Sequence, residues 1–98
     1  MNPDTINAAS MSTVYSKEWA GVIKRLLKTV MAKQDLSYKD LSYRLRQIGT
    51  DQSPDNLRNK INKGVLGAQL FLQIIYVCDE HVDRDGIKEL LALAQRTN

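Results

Sequence analysis

Three asparagines, one arginine and two lysines fall within the twelve residues Ser53-Pro54-Asp55-Asn56-Leu57-Arg58-Asn59-Lys60-Ile61-Asn62-Lys63-Gly64. A carboxamide sets a donor beside an acceptor and so matches an adenine edge, while guanidinium and ammonium groups meet guanine or phosphate. The element that must carry them is a short helix. Ser53 is suited to its N-cap, Pro54 to its first position and Gly64 to its stop. Leu57 and Ile61, four apart, form one apolar edge. At 100° per residue from Leu57, Asp55, Asn59, Asn62 and Lys63 fall on the opposite side, with Asn56 and Lys60 along one border and Arg58 along the other. The pattern is that of a helix presented to nucleic acid.

No comparable case exists for catalysis. A nucleophile needs a base and an orienting group, and His81 is the one histidine, set in an acidic linker. The single Cys78 rules out an intrachain disulfide and any cysteine-only metal site; in an apolar helix pattern it reads as packing. Asp79, Glu80, Asp83 and Asp85 lack the spacing, central Gly and terminal Glu of a calcium loop. No phosphate-cradling Gly-rich loop occurs. The expectation is a non-enzyme with no catalytic residue, no metal and no cofactor.

The supporting elements follow from periodicity. Residues 1–15 are polar, lack an apolar stripe and read as a flexible arm. Ser16 then precedes Trp19, Val22, Ile23, Leu26, Leu27 and Val30, the stripe of a helix over about 17–33 with Trp19 as a core anchor. Ser37 caps a second helix whose inward edge is Tyr38, Leu41, Leu45 and Ile48, closed by Gly49; Lys39, Tyr43, Arg46 and Gln47 lie outward. After the amide-rich third helix comes a fourth, about 68–78, apolar over most of its circumference and so expected at the centre of the core. Asp79–Gly86 reads as a loop, and a fifth helix runs over about 86–95 with Ile87, Leu90, Leu91 and Ala94 on one side. No strand-like alternation appears. The fold expected is all-α, a compact five-helix bundle, organised as an arm (1–15), a main domain (16–78) and an acidic linker with a C-terminal helix (79–98).

Charge is distributed unevenly. Net charge is +3, yet residues 17–63 hold eleven Lys/Arg against five Asp/Glu, a balance of +6, and residues 64–98 hold three against five. A basic excess that coincides with the amide-rich helix favours a polyanion partner. Neither a signal peptide nor a membrane span is indicated, because the longest apolar run, Val65–Cys78, is interrupted by Gly67, Gln69 and Gln73. A cytoplasmic protein without a membrane partner is expected.

The order of parts resembles the phage-repressor-like helix-turn-helix domains over roughly 17–78: Leu41-Ser42 in a Gly-terminated helix 2, a polar helix 3 ending in Asn62-Lys63-Gly64, and an apolar helix 4. Ser42 occupies the place of the motif's small residue. Arg46 stands where the turn Gly is usual and Gly49 comes three later, which makes helix 2 about one turn longer. The resemblance implies that helix 2 braces across the DNA backbone and helix 3 enters the major groove. The chain is also similar to a family of small uncharacterised bacterial proteins over about 19–75. That pattern is carried by Trp19…Ile23-Lys24-Arg25-Leu26-Leu27, Tyr38-Lys39-Asp40-Leu41…Arg44-Leu45…Ile48-Gly49, Asn56-Leu57-Arg58-Asn59-Lys60-Ile61…Gly64 and Phe71-Leu72-Gln73.

The expected function is a DNA-binding transcriptional regulator. Asn56, Asn59, Asn62, Lys63 and Arg58 are the candidates for base contact, and Lys39, Tyr43, Arg44, Arg46 and Lys60 for the DNA backbone. Such domains commonly bind as dimers, and Ile87, Leu90 and Leu91 are the candidates for a homodimer contact, with packing against helices 1 and 4 the alternative. A second expectation is a protein-interaction module, a phage- or plasmid-type adaptor or antagonist, using the same basic surface. RNA ranks third, because stacking aromatics are few.

Overall fold

In the computed structural model, which describes the backbone over residues 3–97 and the side chains over 17–95, five helices follow one another. They are α1 (Pro3–Lys33), α2 (Tyr38–Gln47), α3 (Pro54–Lys63), α4 (Ala68–Val77) and α5 (Arg84–Thr97). No strand occurs among the described residues. The protein is an all-α bundle in which α1 packs against α3 and α5, and α2 packs against α3 and α4.

The chain reverses after each of the first four helices through one device. Asp35, Gly49, Gly64 and Asp79 have φ of 53°, 87°, 66° and 52°. In each case the next amide reaches back five residues: Leu36 to the Met31 carbonyl, Thr50 to Leu45, Val65 to Lys60 and Glu80 to Ile75, at 2.9–3.2 Å. These are Schellman closures, which return orphan C-terminal carbonyls to hydrogen bonding. Glycine enters the left-handed region without a Cβ penalty, and aspartate is among the few side-chain-bearing residues that tolerate it.

The core is aliphatic. Leu27, Leu41, Leu45, Leu57, Ile61, Ile74 and Cys78 are completely buried, with Val22, Val30 and Met31 nearly so. Burial pushes the Cys78 thiol above its ordinary range, so it packs as a neutral side chain. Ala94 of α5 lies over Gly21 of α1, where an added Cβ would come within 3.7 Å of the alanine methyl.

Several expectations need correction. α1 begins at Pro3, so the segment read as a flexible arm is helical from that residue on and Ser16 lies inside the helix. The segment 3–15 has no apolar stripe, but nothing there breaks a helix once Pro3 supplies a first position. Trp19 is 42% exposed; it sits at the bundle edge beside Ala20, Val65 and Phe71, with no further layer to cover it. Ile48 is 41% exposed because it is the C-cap of α2, already off the helical wheel. α4 buries Leu70 and Ile74 but leaves Leu72 64% exposed, so it is a flank of the bundle rather than its centre. α5 starts two residues before expectation, because the Asp83 carboxylate accepts the Gly86 amide at 2.7 Å and caps the helix.

Candidate functional site

α3 is held at both ends and along one edge. The Ser53 hydroxyl accepts the Asn56 amide at 3.1 Å, and Pro54 occupies the first turn without wasting a donor. At the other end Gly64 stands against α1 so closely that a Cβ there would lie 1.9 Å from the Ala20 carbonyl oxygen. Leu57 and Ile61 are wholly buried between these two anchors. The opposite face is left in solvent: Asn56, Asn59, Asn62 and Lys63 are exposed, and none of their side chains has a polar partner among the described residues.

Two other cations of α3 are already engaged. The Arg58 guanidinium donates to the Asp55 carboxylate at 2.7 Å and lies 5.6 Å from the Tyr38 ring centroid. Lys60 is half-buried and donates to the Gln52 side-chain carbonyl at 3.2 Å. Arg58 therefore carries a partner that would have to release it before it met a base or a phosphate.

α2 divides its polar residues between surface and interior. Lys39 and Tyr43 are exposed, as is Arg46, whose ion pair with Asp51 at 3.8 Å is solvent-screened. Arg44, expected to grip the DNA backbone, instead points into the bundle. Its guanidinium donates to the Gln34 side-chain carbonyl at 2.9 Å and to the Val77 carbonyl at 3.1 Å. Gln34 in turn donates to the Cys78 carbonyl. A cation and an amide thus plug the C-terminus of α4, where the helix dipole favours positive charge. Ser42, almost fully buried, donates to the Gln52 carbonyl at 2.6 Å and ties α2 to the segment entering α3.

The N-terminus of α2 is closed by a full capping box: the Ser37 hydroxyl accepts the Asp40 amide, and the Asp40 carboxylate accepts the Ser37 amide at 2.9 Å. The Ser37 amide and hydroxyl that donate to Asp40 hold its carboxyl below the ordinary carboxylate range, aided by the nearby Arg44 and Lys39 charges.

Ile87, Leu90 and Leu91 of α5 are half-buried, on a helix that packs along α1. Sequence reasoning missed two groups of neighbours of α3. Thr50, Gln52 and Gln69 border a polar groove beside Lys60; linker position and an apolar helix pattern hid them, although amides near amides were the available signal. Lys28 of α1 comes to the same edge as Lys39 and Arg58, a proximity that no local spacing encodes.

The chain belongs to a family of domains of unknown function, DUF6471, whose model matches residues 19–81. That span runs from Trp19 through α4 and stops before α5. No curated protein and no solved structure matches the chain. Among the described residues, no helix is long and apolar enough to cross a membrane.

Proposed function

We propose that this chain is a transcriptional regulator that binds double-stranded DNA with α3 in the major groove, acting in the cytoplasm as a homodimer. The observation that carries the reading is the exposed, unpartnered face of α3, with Asn59, Asn62 and Lys63 outward and Asn56 at its border, on a helix whose ends and inner edge are fixed. Side chains of this kind on a rigid element lose little entropy on meeting base edges. Lys39, Tyr43 and Arg46 supply the phosphate contacts, Lys60 joins them from the border, and Arg58 does so once Asp55 releases it. Arg44 serves instead by holding α2 to the end of α4. Ile87, Leu90 and Leu91 keep part of their surface for a second copy.

The test is selection on random duplex DNA with the mass of the complex measured in parallel. Binding should fall steeply between about 50 and about 200 mM salt. Asn59→Ala should erase discrimination among duplexes, and Lys63→Ala should weaken all of them similarly and flatten the salt dependence. If no duplex is preferred and neither substitution changes binding, α3 is not a DNA-reading helix.

A protein-interaction module is the second reading, favoured by the apolar side chains Val65, Leu72 and Tyr76, which are 64–74% exposed. Indifference to DNA and heparin together with a saturable protein partner would select it.

A further inference from the structure

A groove of about 650 Å³ opens between the last turns of α1 and the first turns of α2 and α3. Its floor is apolar, made by Met31, Ala32, Leu36 and Pro54, and the Tyr38 side chain forms a wall. Three cations, Lys28, Lys39 and Arg58, stand at its rim, and no carboxylate lines it. Lys28 and Lys39 are exposed and pair with no described acid, while Asp55 reaches Arg58 from outside the groove.

Size and chemistry together choose the occupant. The volume lies within the range of small-molecule sites, roughly 300–1,000 Å³. A bare inorganic anion would satisfy the lysines and leave the apolar floor wet. A neutral apolar body would cover the floor and gain nothing from the lysines. We propose that the groove is a binding site for an amphipathic small anion, a flat apolar body with a carboxylate or phosphate head, the body on Met31, Ala32, Leu36 and Pro54 and the head between Lys28 and Lys39.

The site stands independently of DNA binding, but it has a consequence for it. Lys39 and Arg58 belong both to this rim and to the surface proposed to meet DNA, and because the head engages Lys39, an occupied groove withdraws at least that cation from the surface. This consequence alone rests on the DNA reading.

The experiment is a titration of the full chain followed by amide chemical shifts, with three probes: 2-naphthoate, 2-naphthol (the body without the charge) and inorganic phosphate (the head without the body). Naphthoate should bind at least about tenfold more tightly than either of the others, a difference of one decade in Kd. Its shifts should gather over residues 28–39 and 54–58. The Lys28→Ala, Lys39→Ala double variant should bring naphthoate to the level of naphthol, and Ala32→Phe, at an exposed helical position, should abolish its binding by filling the groove. Equal binding of naphthoate and naphthol, shifts centred elsewhere, or an unchanged affinity in a folded double variant each overturns the site. Because DNA is absent from these measurements, their outcome is separate from that of the DNA reading. A later addition of duplex, displaced by naphthoate in the wild type but not in Ala32→Phe, tests the shared cations.

Discussion

α2 and α3 are built alike and used differently. Each spans ten residues, starts at a serine N-cap, buries two apolar residues four apart and closes on a glycine with positive φ. Yet α2 turns Arg44 and Ser42 inward to hold its neighbours, whereas α3 turns three asparagines and a lysine outward. The third residue of each helix shows the same division. In α2 it is Asp40, which completes the capping box; in α3 it is Asn56, whose side chain stays free among the described residues. The difference teaches that helix-forming signals and side-chain placement are separate properties: similar punctuation frames a brace in one case and an exposed polar face in the other.

The comparison is broken most forcefully at the two closing glycines. Gly64→Ala should cost about 3 kcal/mol or more, because its Cβ meets the Ala20 backbone and its φ is left-handed. Gly49→Ala has open space around it and should cost only about 1 kcal/mol for its φ. Denaturant unfolding of the two variants measures the gap, and equal losses would show that the Ala20 contact does not hold α3. Next come the arginines. Arg44→Met should lose about 2 kcal/mol through its part-buried partners, while the exposed Arg58→Met should lose less than about 1 kcal/mol. The order should invert for DNA affinity measured well below the melting temperature.

Smaller effects sharpen the same contrast. Ser42→Ala should cost about 1 kcal/mol by stranding the Gln52 carbonyl, whereas Asn59→Ala should leave stability within about 0.5 kcal/mol. Asn56→Asp gives α3 the box that α2 has. It should raise stability by a few tenths of a kcal/mol and weaken duplex binding, since it sets an acid on the face proposed to meet DNA. The mildest change is one of pH. The carboxyl of Asp40 is lowered in the folded state from an ordinary value of 3.8, so its contribution is complete above that value and lost as pH falls through the folded one. Thermal midpoints from about pH 5 to about pH 2 should therefore fall less steeply in Asp40→Asn than in the wild type.

Much of the frame was legible because its signals are local. Ser37, Ser53, Pro54, Gly49 and Gly64 mark ends that depend only on neighbours in the chain, and Leu57 with Ile61 marks an inward edge by spacing alone. What failed was whatever depends on distant parts. Arg44 sits on a helix border by the wheel, and only the arrival of the α4 C-terminus turns it inward. Trp19 and Leu72 are apolar and periodic, but burial also requires something to lie over them, and five helices leave those faces uncovered. Within the candidate site, the outward set of α3 was readable, while Lys28, Thr50 and Gln69 came to its edges through folding that no window of sequence records.

The contact between Gly64 and the Ala20 carbonyl has one more consequence. It seats α3 through main-chain atoms of Gly64 and Ala20, which the exposed side chains of α3 do not touch. Positions 56, 59, 62 and 63 can therefore be randomised together on a constant scaffold, and such a library would vary what the surface meets without altering how it is presented.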